Sequence, residues 1–192
     1  MFINLLGALL VNRLSVLPNV LSVLRIILTP LFLVTLFQGE WSLVLALVIF
    51  TIAALTDTFD GYYARRYDAY TFWGAFLDPI ADKILIGATI TAFAVLNLVS
   101  WWVVLIILIR DVFVTLLRLQ KIAHGGMLKT SMLAKVKTTA QFVSIYFFFI
   151  CLIAQWLQAP AAWYDVSLTL AQTCLYLVAA LTLYSGLDYV RK

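Results

Sequence analysis

The chain has 192 residues, 65% hydrophobic and 11% charged, with a net charge of +4. A soluble domain of this length has too little interior to hide that much apolar surface, which leaves a polytopic, all-α membrane protein as the class. A single histidine, His124, and no nucleic-acid motif exclude a DNA- or RNA-binding reading, and Cys151 and Cys174 lie in apolar runs without metal-ligand spacing, as packing residues do.

Residues 1–14 are short, weakly amphipathic and carry Arg13, the pattern of an interfacial helix lying on the membrane. Six segments follow, each near the ~20 residues that a crossing helix needs. They cover 17–38, 41–66, 74–98, 101–123, 136–157 and 163–189 and predict a six-transmembrane-helix bundle forming a single domain over 1–192. The tight turns at Gln38-Gly39-Glu40 and at Asn97-Leu98-Val99-Ser100 make the first and second helices, and the third and fourth, antiparallel neighbours. Six spans put both termini on one face. Arg13, Arg65, Arg66, Lys83, Lys121, Lys129, Lys135, Lys137, Arg191 and Lys192 fall on that face, whereas the opposite turns carry only Glu40 and Asp165. The positive-inside rule makes that face cytoplasmic, and Trp41, Trp101, Trp102, Trp156 and Trp163 gather at the other as an aromatic belt.

Between the second and third helices stands a motif, Asp57-x2-Asp60-Gly61-x2-Ala64-Arg65-x8-Gly74-x3-Asp78-x3-Asp82, that places four of the nine acidic residues beside apolar flanks. Such charges are costly there unless something cationic holds them. Asp57 and Asp60 are i and i+3, Asp78 and Asp82 are i and i+4, so each pair shares one helix face. Gly61 and Ala64 continue the first face with almost no side chain, leaving room for a ligand to approach the backbone, and Arg65 offers a fork for a phosphate. Pro79 suits an early helical position, which predicts that the third helix begins close to Asp78. Oxygen ligands without His or Cys favour two Mg²⁺ or Mn²⁺ ions over zinc, able to clamp a pyrophosphate during phosphoryl transfer. The last carboxylate could instead take a proton from an attacking hydroxyl. A plain salt-bridge network of the aspartates with Arg65, Arg66 and Lys83 is the alternative, but it has no need of the small Gly61 and Ala64.

The eight-position motif resembles the signature of the CDP-alcohol phosphatidyltransferases, with every defining residue in place. The likeness extends to Pro18-Asn19-Val20-Leu21-Ser22-Val23-Leu24-Arg25 in the first helix. Gly74-Ala75-Phe76-Leu77-Asp78-Pro79-Ile80-Ala81-Asp82-Lys83 and Lys135-Val136-Lys137-Thr138-Thr139-Ala140-Gln141 look like the forms found in the phosphatidylglycerophosphate synthases of that family. The resemblance implies a six-helix bundle in the cell membrane, usually a homodimer, with its site open to the cytoplasm. It implies that Asp57 and Asp78 bridge two metal ions, that Asp60 completes the first site and Asp82 the second, and that Asp82 is the general base. Asn19, Ser22, Gly61, Ala64, Arg65 and Thr71 would contact the donor, CDP-diacylglycerol. An acceptor hydroxyl would then displace CMP without a covalent enzyme intermediate.

Acceptor choice must come from other residues. Arg25 lies about 9 Å deeper along the first helix than Asn19, and Arg110 sits well inside the fourth span beside Asp111. Arginines at such depth face a polar cavity, snorkel to the interface, or, for Arg110, pair with its neighbour. Arg118 follows Arg110 by slightly more than two turns, on a similar face. Lys135 and Lys137 enter from the fifth helix, although they cannot share a face unless that helix starts between them. Together these cations favour a phosphate-bearing acceptor; the resemblance implies glycerol 3-phosphate, with inositol phosphate or phosphatidylglycerol as alternatives. A divalent-cation transporter is the reading from another class, but it expects carboxylates at mid-membrane. Lys121, Lys129, His124 and Asp68, a fifth carboxylate that lies in the loop, read as solvated or headgroup-facing charges.

Overall fold

Long apolar stretches with few helix breakers fold as helices, and three of them are followed by a residue at positive φ, Gly39, Asn97 or Gln158. The computed structural model describes the backbone of residues 17–67, 72–123 and 132–190, and side chains over 20–39, 41–56, 80–117, 120 and 136–183. Among the described residues the chain is all-helical: α1 (Leu17–Phe37), α2 (Leu43–Tyr67), α3 (Phe72–Val95), α4 (Trp101–Ala123), α5 (Met132–Trp156) and α6 (Ala161–Val190), with a 3-10 turn at Glu40–Ser42. The six helices match the six segments expected from sequence to within a few residues. Among the described residues, three stretches are long and apolar enough to cross a membrane, Val20–Phe37, Val136–Trp156 and Ala161–Leu183, and Leu43–Thr56 is a shorter apolar helix. The interfacial helix expected over 1–14 lies outside the described residues.

The turns are built locally. Asn97 adopts φ 60°, and the N–H groups of Asn97 and Leu98 donate to the carbonyls of Ala94 and Phe93. That pairing closes α3 as a Schellman motif with asparagine where glycine is commoner. The end of α5 repeats the device: Gln158 has φ 51°, and Gln158 and Ala159 donate to Gln155 and Ala154. Pro160 follows, where the helix cannot continue. Gly39, at φ 114°, turns the chain after α1.

The chain divides into two compact units, with the division inside α3. The first comprises Met1–Gln38 and Leu45–Leu85. Its core is a stripe on α1, Ser22, Arg25, Thr29, Phe32 and Leu36, facing Ala46, Ile49, Phe50, Ala53 and Thr56 of α2. Phe32 and Phe50 meet at 5.7 Å between ring centroids. The stripe is spaced at three and four residues, as a helix face requires, and it is polar toward the start of α1 and apolar toward its end.

The second unit comprises Gly39–Val44 and Ile86–Lys192. Phe93 packs on Phe148 and Phe149 at 5.0 and 5.6 Å, among Val103, Val104, Ile107, Ile145, Leu175 and Val178. A Cβ at Gly87 would stand 2.8 Å from Cδ2 of Leu108, so the missing side chain is what lets α4 lie close to α3 there. Two polar clasps cross helices: Ser144 Oγ donates to the carbonyl of Ala171 at 2.7 Å, and Gln172 Nε2 to that of Leu98 at 3.0 Å. Trp41, Trp101, Trp102 and Trp163 are exposed at helix ends, with Trp41 edge-on to Trp156 and Trp102 stacked on Tyr176. Exposed indoles at helix ends suit a membrane–water boundary.

Candidate active site

Helix lengths set the levels of the four motif aspartates within the first unit. Asp57 stands ten residues before the end of α2 at Tyr67, and Asp82 ten residues after the start of α3 at Phe72. Asp60 is seven residues from the same end and Asp78 six from the same start. Residues 68–71, between these helices, lie outside the described residues; connections of four residues commonly join antiparallel neighbours. If α2 and α3 run antiparallel, as the sequence leads one to expect, Asp57 would stand level with Asp82 and Asp60 with Asp78, the two levels about 4.5–6 Å apart along the helices. Four carboxylates so placed would suit a pair of hard divalent cations.

The start of α3 at Phe72 corrects one expectation: the helix does not begin near Asp78, so Asp78 and Asp82 both belong to its interior. The side chains of Asn19, Asp57, Asp60, Gly61, Ala64, Arg65 and Asp78, and all of Thr71, lie outside the described residues, as do the side chains of Arg118 and Lys135. Asp82 is described. Its side chain is 19% exposed and accepts a hydrogen bond from Lys83 Nζ at 3.2 Å.

Arg25 does not snorkel. It is fully buried, and its Nε donates to the carbonyl of Ala53 at 3.2 Å and to Thr56 Oγ1 at 3.4 Å. Thr56 in turn donates to the same carbonyl at 2.7 Å. Ala53 has too little side chain to keep the guanidinium off its backbone. The contact ties α1 to the turn of α2 that immediately precedes Asp57. Replacing Arg25 by Met removes charge-assisted hydrogen bonds worth about 1.5–3 kcal/mol, and thermal unfolding of the purified protein in detergent should register that loss.

In the second unit one carboxylate organises the cations. Val103, Val104, Ile107 and Asp111 form the buried stripe of α4, so Asp111, not Arg110, occupies the core-facing position. Asp111 Oδ1 accepts from Lys137 Nζ, and from Arg110 Nη1 at 3.3 Å. Lys137 is as buried as its partner, and Arg110 is 17% exposed. Of the readings offered for Arg110, the pairing with its neighbour is the one seen, and the side chain is largely buried. Lys137, counted from sequence among the charges flanking the membrane, is instead a buried member of an ion-paired triad carrying one net positive charge. α5 begins at Met132, before both lysines, so positions 135 and 137 are about 200° apart around it and do not share a face.

Sequence reasoning passed over Gln141, one turn beyond Lys137. It is fully buried on the stripe Lys137, Gln141, Ser144, Ile145 and Phe148, and among the described residues neither its Nε2 nor its Oε1 has a hydrogen-bond partner. The signal was its position at i+4 from a lysine inside an otherwise apolar helix. Asp111 was legible in the same way, as the next step of the stripe at 104 and 107.

A profile of the CDP-alcohol phosphatidyltransferase family matches residues 15–184. The chain is 38% identical over 187 residues to the probable phosphatidylglycerophosphate synthase of Mycobacterium tuberculosis strain H37Rv, covering 94% of this chain and 82% of that one. It is 36% identical over 180 residues to the CDP-diacylglycerol–glycerol-3-phosphate 3-phosphatidyltransferases of Escherichia coli K12 and Salmonella typhimurium LT2, covering 90% of this chain and 92% of each of those.

Proposed function

The chain belongs to the CDP-alcohol phosphatidyltransferase family, and on that premise we propose that it transfers the phosphatidyl group of CDP-diacylglycerol to sn-glycerol 3-phosphate, giving phosphatidylglycerol phosphate and CMP. The observation that carries this reading is similarity along nearly the whole chain to relatives named for that reaction, together with an intact eight-position motif.

Asp57, Asp60, Asp78 and Asp82 would hold two divalent cations, Mg²⁺ or Mn²⁺, whose charge would offset that of the pyrophosphate. Asn19, Ser22, Gly61, Ala64, Arg65 and Thr71 bind the donor: the small residues let it approach the α2 backbone, and Arg65 takes a phosphate oxygen. The primary hydroxyl of the acceptor attacks the phosphorus that bears diacylglycerol. A new O–P bond forms, the bond to the bridging pyrophosphate oxygen breaks, and CMP leaves. Asp82 receives the hydroxyl proton. Arg110, Arg118, Lys135 and Lys137 supply the positive charge that selects a phosphate-bearing acceptor. Arg25 belongs with the acceptor residues by charge, and its fixed bonds to Ala53 and Thr56 also give it a positioning role beside Asp57. The protein works as a multi-pass homodimer in the cell membrane, both termini and the site facing the cytoplasm, in keeping with its charge bias and tryptophan belt.

The test is CMP release by purified protein in detergent with Mg²⁺ and CDP-diacylglycerol, adding acceptors singly. Glycerol 3-phosphate is expected to drive release, while inositol phosphate, serine and phosphatidylglycerol do not. Release with one of those alone would overturn the acceptor assignment and leave the donor chemistry standing. Metal flux without the lipid donor, and no release with any acceptor, would point to a transporter.

A further inference from the structure

We propose that Gln141 is a specificity-determining residue that hydrogen-bonds the secondary, C2 hydroxyl of the acceptor; this deepens the glycerol 3-phosphate reading above and rests on it. The buried stripe of α5 holds three polar side chains in succession, and two of them are satisfied. Lys137 is paired with Asp111, and Ser144 donates to the carbonyl of Ala171. Gln141 stands between them, fully buried, and among the described residues both ends of its amide lack a partner. Buried polar groups are nearly always satisfied, and an orphan points to an occupant.

The chemistry of the amide narrows the occupant. A carboxamide offers two N–H donors and one carbonyl acceptor at no net charge. A phosphate oxygen would suit the donors and be repelled by the carbonyl, and an ammonium would do the reverse. A hydroxyl both donates and accepts, so it satisfies both ends. The cations one turn away, Lys137 on α5 and Arg110 through their shared Asp111, suit the anionic part of the same molecule. The combination therefore fits a phosphorylated polyol. In sn-glycerol 3-phosphate the primary hydroxyl is consumed in bond formation and the phosphate is matched by cations, which leaves the C2 hydroxyl as the group that a neutral amide reads.

The experiment compares two acceptors, sn-glycerol 3-phosphate and 3-hydroxypropyl phosphate, which differ only in the C2 hydroxyl. CMP release is followed with the full-length wild type, Gln141→Leu and Gln141→Met. A site that hydrogen-bonds a substrate hydroxyl discriminates strongly against the analogue lacking it, so the wild type should favour glycerol 3-phosphate in kcat/KM by more than about tenfold. Both variants should lose at least about tenfold with glycerol 3-phosphate and little with the analogue, shrinking the preference to within about threefold. The KM for CDP-diacylglycerol should not move. Two apolar replacements guard against one of them failing to fold. Wild-type discrimination retained in either folded variant, or an equal fall with both acceptors, overturns the proposal and leaves Gln141 a packing residue whose amide is met by water. Absence of release from the wild type with both acceptors would instead overturn the glycerol 3-phosphate reading, and this inference with it.

Discussion

Asp82→Asn should abolish turnover, by at least about a thousandfold, while leaving CDP-diacylglycerol binding within a few-fold of wild type. The change keeps the shape of the side chain and removes the charge. Two roles depend on that charge: accepting the proton of the attacking hydroxyl and completing the carboxylate set that would hold the cations. General-base catalysis alone is worth about a hundred- to ten-thousandfold. The donor contacts assigned to Gly61, Ala64 and Arg65 belong to α2 and are untouched by a substitution on α3. Lys83, which donates to Asp82 at 3.2 Å, can donate to the asparagine oxygen as well, so the local fold has no reason to change. The check is single-turnover CMP release beside equilibrium binding of the donor. Activity near wild type would remove Asp82 as the base, and loss of donor binding in parallel with turnover would make its role electrostatic support of the donor site.

The helices were legible in the sequence because they are long apolar segments, several of them bounded by a residue with one clear local preference. Gly39, Asn97 and Pro160 end or separate helices for reasons that need no tertiary context. The motif aspartates were legible because four carboxylates amid apolar segments have so few physical explanations. The start of α3 was misjudged because Pro79 was given its commonest helical role, an early position, when the helix already runs seven residues before it. The cations were harder to read. A lysine or arginine near the end of an apolar segment can serve as a topology signal, a ligand-binding group or a buried counter-ion, and composition does not separate these. Spacing alone puts Asp111 on the stripe of 104 and 107, but only the packed helices show that it gathers both Lys137 and Arg110. Gln141 was illegible as an orphan for the same reason: whether an amide is satisfied depends on the helices around it, not on its neighbours in sequence.

The buried triad supplies a prediction that separates stability from acceptor use. Asp111→Leu strips Lys137 and Arg110 of the carboxylate they share, leaving a buried ammonium without it. Breaking one side of a buried ion pair costs about 3–5 kcal/mol, because the remaining charge stays desolvated. The single variant should therefore unfold at markedly lower temperature. Replacing both partners, Asp111→Leu with Lys137→Met, removes the stranded charge and fills the space with hydrocarbon of similar volume. Such exchanges are often neutral or stabilising, so the double variant should recover most of the lost stability. Its catalytic efficiency with glycerol 3-phosphate should nevertheless stay at least about tenfold below wild type, since a charge-assisted bond to a phosphate is worth more than a neutral one, while the KM for the lipid donor is unchanged. Recovery of both stability and acceptor use would reduce Lys137 to a structural counter-ion and leave acceptor binding to Arg110, Arg118 and Lys135. Recovery of stability alone would show that this part of the polar interior is kept for recognition, since a fully apolar version folds as well and works less.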